Sequence, residues 1–137
     1  MKNKGDILLV EDDVVDHMLV KRAFKELGIT NTLQIASNGE EALDFLRARD
    51  GEKPCIILLD LNMPRMSGLE FLKIVKSDEE HKAIPVVVLT TSREEQDKTQ
   101  SFKLGVAGYM IKPVEYDQYV ELIKTFDSYW TLSEFPG

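Results

Sequence analysis

Residues 55–64 read CIILLDLNMP. Five apolar residues run without a break, and then a carboxylate, Asp60, stands at the mouth of the run, with Asn62 and Pro64 close behind. A short, continuously apolar run fits a strand buried on both faces, as in a parallel sheet covered by helices. A carboxylate beside it is costly to desolvate unless something compensates it. Two questions follow: which strands flank this one, and what keeps Asp60 company.

Four other strand candidates punctuate the chain: DILLV (6–10), TLQIA (32–36), VVVL (86–89) and AGYMI (107–111). Amphipathic segments lie between and after them. Val20, Ala23, Phe24 and Leu27 share one helical face, and Gly28 stops that run. Asn38-Gly39 opens a second helix carrying Ala42, Phe45 and Leu46, and Ser67-Gly68 opens a third carrying Phe71, Leu72 and Val75. Tyr116, Tyr119, Val120, Ile123, Phe126 and Trp130 mark a long final helix. The segment REEQDKTQSFKLG (93–105) has only Phe102 and Leu104 as large apolar residues, so it is expected to be the least anchored. Alternating strands and helices predict an α/β fold with a parallel sheet. ILLV, CIILL and VVVL belong in the middle of that sheet. TLQIA alternates with polar residues and AGYMI carries Gly108 and Tyr109, so both suit edges. With right-handed crossovers the order becomes 2-1-3-4-5, the flavodoxin-like (βα)5 doubly wound arrangement, whose switch point lies between strands one and three.

That topology answers the second question. LLVEDD (8–13) delivers Glu11 and Asp12 to the same sheet end as Asp60, in the crevice where open α/β sheets bind ligands. Two unit charges about 4 Å apart repel by about 4 kcal/mol at an effective dielectric near 20. Such a cluster holds a proton or a cation. Oxygen donors without His or Cys favour a hard ion, Mg²⁺ foremost, which takes phosphate oxygens readily. Thr90 ends the fourth strand with a hydroxyl, and Lys112 ends the fifth with an ammonium. A carboxylate so placed can act as a nucleophile and become an aspartyl phosphate.

Composition is compatible with this. The chain has 137 residues and a net charge of −7, enough for one domain and contrary to a nucleic-acid partner. Its one cysteine, Cys55, suits a small buried hydrophobe in a reducing compartment. No apolar stretch spans a bilayer and MKNKGD lacks a secretion core, so a cytoplasmic location is expected.

LLVEDD, ILLDLNMPRMSG, PVVVLTTS and GYMIKPV, in that order at strand ends, resemble the receiver domain of two-component response regulators. The resemblance covers about residues 5–127 of a single domain, 1–137, with a short C-terminal tail. VEDDVVDHML, NMPRMSGLEFL and the YW at 129–130 further resemble the stand-alone receivers paired with bacterial phytochromes. The resemblance implies Asp60 as phosphoacceptor and Mg²⁺ (or Mn²⁺) held by Glu11, Asp12, Asp60 and the backbone carbonyl of Asn62. It implies that Thr90 and Lys112 bind the phosphoryl group and that Thr90 and Tyr109 act as a switch toward helix four, strand five and helix five. It also implies a cis Lys112–Pro113 bond. The donor would be a sensor histidine kinase, and the narrower resemblance implies one of phytochrome type. Output would be protein contact or onward phosphotransfer, with no enzyme activity beyond the chain's own phosphorylation and dephosphorylation. A homodimer through helix four, strand five and helix five is expected from the apolar surplus of Trp130, Leu132 and Phe135.

Plainer readings apply elsewhere. Asp13 fits a helix cap, and His17 and His81 fit the surface; Asp16, one turn along, could join the acidic rim but better suits a solvent-facing position. Other functions compete. An aspartate-nucleophile phosphatase would place a general acid at position 62, where Asn62 stands. A flavin or nucleotide binder needs glycines or hydroxyls after strand one, where three acids stand. A receiver-like module that takes no phosphate would lack some of these residues, yet each expected position is filled.

Overall fold

The computed structural model describes residues 5–48 and 52–132. Strands and helices alternate: β1 (Ile7–Val10), α1 (Val14–Glu26), β2 (Leu33–Ala36), α2 (Gly39–Ala48), β3 (Ile56–Leu59), α3 (Gly68–Ser77), β4 (Val86–Thr90), α4 (Glu95–Lys103), β5 (Gly108–Ile111) and α5 (Tyr116–Leu132). The strands form one sheet in the order β2-β1-β3-β4-β5, all parallel. β1, β3 and β4 are buried throughout, while β2 and β5 stay partly open at the edges. The contrast between continuous and interrupted apolar runs thus predicts the strand order. No helix among the described residues is long and apolar enough to cross a membrane.

Strand side chains alternate between two faces, so the sheet builds two cores. Leu8, Val10, Ile57, Leu59, Val86 and Val88 pack with Ala42, Leu43 and Leu46 of α2 and Phe71, Leu72 and Val75 of α3. Ile7, Leu9, Ile56, Leu58, Val87 and Leu89 pack with Val20, Ala23 and Phe24 of α1 and Tyr119, Ile123, Phe126 and Trp130 of α5. Burying one such side chain contributes about 1.5–3 kcal/mol. Trp130 is therefore core, against the expectation of surplus surface; Phe135 and the side chain of Leu132 lie outside the described residues.

Helix ends follow local chemistry. Asp13 caps α1, its carboxylate accepting the Val15 N–H at 2.8 Å. Ser67 and Glu70 form a capping box at α3. Gly28 closes α1 at φ 70°, with its N–H on the Lys25 carbonyl and that of Ile29 on the Phe24 carbonyl; the left-handed turn favours glycine. Two positions depart from expectation. His81 is buried rather than on the surface, its Nδ1 3.1 Å from Asp78 Oδ2, because the short turn after α3 folds inward on Ile84. Phe102 is exposed, so α4 buries even less than its sequence suggests: Ser101 alone is fully buried on it.

Candidate functional site

Parallel register carries the first residues beyond the strands to one edge. Val10 pairs with Leu59, so Glu11 and Asp60 leave β1 and β3 side by side. The Asp60 N–H donates to the Val10 carbonyl at 3.0 Å. Thr90 pairs with Ile111, and the Lys112 N–H donates to the Thr90 carbonyl at 2.8 Å. Sheet geometry alone thus brings four segments to one crevice.

Carboxylate oxygens of Glu11, Asp12 and Asp60 lie within 4.8 Å of one another. Glu11 and Asp60 are buried and Asp12 is exposed, giving a pocket with one wet side. Three oxygen donors at this spacing, without nitrogen or sulfur, fit a hard divalent cation. The Glu11 carboxylate is itself oriented: it accepts the Asp13 N–H at 3.1 Å, and the Glu11 carbonyl accepts from His17 Nε2 at 2.5 Å. The Asn62 N–H lies 3.4 Å from Asp60 Oδ1, turning the loop after β3 back over the site. Gly68 lets α3 approach that loop, its N–H donating to the Leu61 carbonyl at 3.0 Å.

Lys112 reaches into the cluster with a side chain only 7% exposed. Its Nζ bonds Glu11 Oε1, lies 2.9 Å from Asp16 Oδ2 and 3.6 Å from Asp60 Oδ2. Asp16 is thus not solvent-facing as expected, because α1 turns it toward the Lys112 ammonium. Three carboxylates lie within 4 Å of one ammonium, with Asp12 beside Glu11 and Asp60 at the exposed rim. Burial pushes the Glu11 carboxyl up to about 8, with the Lys112 hydrogen bond opposing and the Asp60 charge adding to the rise. Burial also disfavours the charged lysine, but its bonds to Glu11 and Asp16 win and hold its pKa above the ordinary lysine value. For the coupled group, Lys112 stays charged and the excess negative charge resides on the carboxylates.

Thr90 is fully buried, and its hydroxyl accepts the Ser92 N–H at 3.3 Å. The Ser92 carbonyl accepts from the Tyr109 hydroxyl at 3.0 Å, and the Ser92 hydroxyl donates to Asp97 of α4 at 2.6 Å. Thr90, Tyr109 and α4 are therefore joined through Ser92. Ser92 and Asp97 do not stand out in the sequence, and the contacts of Asp16 and His17 depend on a helix orientation that spacing does not encode.

The Lys112–Pro113 bond is not cis: no peptide bond among the described residues is. Trans is the lower-energy isomer by about 0.5–1 kcal/mol. With Val114 at 98% exposure, the segment beyond Lys112 runs along the surface, where nothing forces the other isomer.

The response regulator receiver domain matches residues 7–124, and the chain belongs to that family. It is 39% identical over 127 residues to the probable methanogenesis regulatory protein FilR2 of Methanothrix harundinacea, covering 90% of this chain and 82% of that protein. It is 38% identical to the response regulator Rcp1 of Synechocystis over 128 residues, covering 90% and 87%. The Mn²⁺-bound structure of Rcp1 superposes with a TM-score of 0.86 at 36% identity, over 97% of this chain and 99% of that one. The phosphorylated cyanobacterial phytochrome response regulator RcpA gives a TM-score of 0.89 at 34% identity, over 98% and 100%. The chain is thus a receiver of the phosphoacceptor signalling class, and the flavodoxin-like fold is shared with these structures.

Proposed function

We propose that Asp60 accepts a phosphoryl group from the phosphohistidine of a sensor kinase and that the phosphorylated chain signals by protein contact or onward transfer. The observation that carries this reading is the convergence of Glu11, Asp12, Asp60 and Lys112 at one sheet edge. An Asp60 carboxylate oxygen attacks phosphorus, the N–P bond breaks, and its electron pair goes to the imidazole, which is protonated as it leaves. Glu11, Asp12, Asp60 and the Asn62 carbonyl would hold a Mg²⁺ or Mn²⁺ ion, which would offset the negative charge of the transferring group. Lys112 pairs with one of those oxygens, and the Thr90 hydroxyl donates to another. When Thr90 turns toward the phosphoryl group it releases the Ser92 N–H, and Tyr109 and α4 respond through Ser92. The weak anchoring of α4 suits a two-state element.

A phytochrome-type kinase is the partner best supported, since the similar RcpA is a cyanobacterial phytochrome response regulator. Such a kinase places the chain in the cytoplasm. The chain turns over no separate substrate, because position 62 offers an amide rather than a general acid. Labelling by phosphoramidate with Mg²⁺ tests the assignment: wild type is labelled and Asp60→Asn is not, and equal labelling of both removes it.

A homodimer through α4, β5 and α5 is a second part of the reading, supported by exposed Phe102 on α4 and Tyr129 on α5. Light scattering at micromolar concentration, with and without phosphoramidate, tests it; a monomer in both conditions removes it.

A further inference from the structure

Lys112 is turned toward α1 rather than toward Asp60. Its ammonium bonds Glu11 and Asp16, while the Asp60 carboxylate at 3.6 Å lies beyond hydrogen-bond reach. Glu11 belongs to the set of carboxylates close enough to share a cation. Asp16 does not: among the described residues that set is Glu11, Asp12 and Asp60. Asp16 is therefore a lysine partner that neither the cation nor the phosphoryl group claims. Its side chain is 17% exposed, so water screens the pair weakly.

A second observation comes from α5. Tyr119 is 1% exposed, and its hydroxyl has no hydrogen-bond partner among the described residues. Leaving a buried hydroxyl without a partner is costly, so the group gains by finding an acceptor. Burial raises the pKa of this phenol, and among the neighbouring charges Asp16 acts on it most strongly, ahead of Lys112, Glu11 and Asp60. Asp16 is thus the charge that this unpaired hydroxyl feels most.

We propose that Asp16 is a positioning residue for phosphotransfer: it holds Lys112 at rest, surrenders it when Asp60 carries a phosphoryl group, and then accepts the Tyr119 hydroxyl. The proposal rests on the Asp60 reading above. In each state Asp16 keeps a hydrogen-bond donor. At rest Lys112 bonds Glu11 and Asp16 and Tyr119 is left over. After phosphorylation Lys112 bonds a phosphoryl oxygen and Tyr119 bonds Asp16. One hydrogen bond replaces another and no proton changes hands, but the neutral tyrosine donor makes up only part of the charged lysine's bond, so Asp16 still opposes the phosphorylated state. Asp16 sits on α1 and Tyr119 on α5, so the handover also couples Asp60 to the contact between those two helices.

Titration of the whole chain with beryllofluoride and Mg²⁺, beryllofluoride being a non-covalent stand-in for a phosphoryl group, tests this. Asp16→Asn removes the competitor for Lys112 and tightens binding about tenfold, the size of one charge-assisted hydrogen bond. Asp16→Glu restores the wild-type affinity. Tyr119→Phe weakens binding about threefold in the wild-type background and not at all beside Asp16→Ala, the signature of a direct coupling. The same Tyr119→Phe change raises the melting temperature of the resting protein, because it deletes an unpaired hydroxyl. Asp16→Asn affinity within about twofold of wild type overturns the handover while leaving the Asp60 reading intact, as does a Tyr119→Phe loss that persists beside Asp16→Ala. Wild-type protein that binds no beryllofluoride overturns both.

Discussion

A Cβ on Gly68 would stand 2.4 Å from the Asp60 carbonyl oxygen and 2.6 Å from Leu61 Cα. The first turn of α3 therefore rests directly on the backbone that carries Asp60. Both clashing atoms are main chain or bonded to it, so no side chain can swing away to make room. Gly68→Ala is expected to cost about 2 kcal/mol, within the range for forced overpacking, and to slow labelling of Asp60 by displacing it. Gly108→Ala is the control: its Cβ would meet only Val87, at 3.8 Å, and stability should hold within about 0.5 kcal/mol. Urea denaturation of both variants, with phosphoramidate labelling, checks the pair of outcomes.

Glu11 makes the metal-free protein sensitive to alkali. Its carboxyl binds a proton up to about 8 in the folded state against an ordinary 4.5. The folded state thus holds a proton that the unfolded chain has already lost. The associated stability is fully present below about pH 4.5 and declines as pH rises, until it is gone above about pH 8. Melting temperature should fall across that window without Mg²⁺, and Glu11→Gln should flatten the fall. Added Mg²⁺ needs the deprotonated carboxylate, so its stabilising increment should grow with pH. A metal-free melting temperature that rises from pH 5 to pH 8 in wild type would contradict this account.

Strand order and the composition of the acidic cluster were legible because both depend on short-range patterns. ILLV, CIILL and VVVL announce two-sided burial, and a parallel register then carries Glu11, Asp60, Thr90 and Lys112 to one edge. Asp16 was misplaced because its fate depends on the rotation of α1, which brings it to Lys112, 96 positions away. His81 was misplaced because the turn from Asp78 to Ile84 is held by its own hydrogen bonds, which no periodicity records. Trp130 looked like surplus because α5 carries so many aromatics; the face shared with α1 turns out deep enough to take Tyr119, Phe126 and Trp130 together.

Helix α4 should open first. It buries Ser101 alone, exposes Phe102, and starts at Glu94, whose side chain makes no capping bond. Its amide hydrogens are expected to exchange faster than those of α5, which puts four large side chains into the core. Glu94→Ser would supply the missing acceptor and stabilise the helix by about 1 kcal/mol. If α4 is the two-state element, the capped variant should also lower phosphorylation-dependent partner binding, since it favours the resting form. Hydrogen exchange that finds α4 as protected as α5 would end that argument.

Removing Lys112 takes the only ammonium bonded to this cluster among the described residues and leaves Glu11, Asp16 and Asp60 facing one another. Breaking a buried ion pair by deleting one partner costs about 3–5 kcal/mol. The exposed position of Asp12 opens one side of the site to water, so the lower end of that range, about 3 kcal/mol, is expected for Lys112→Met near pH 8. Lys112 lowers the Glu11 pKa, so in the variant Glu11 keeps its proton to higher pH than in wild type, and the loss should grow as pH rises past about 8. Mg²⁺ should recover part of the stability by neutralising the carboxylates, yet phosphoramidate labelling should stay far below wild type, because a cation on Glu11, Asp12 and Asp60 cannot also occupy the lysine's place beside the phosphoryl oxygen. Denaturation at two pH values, with and without Mg²⁺, separates these contributions, and a Lys112→Met protein labelled at the wild-type rate would show that the ammonium has no part in the transfer.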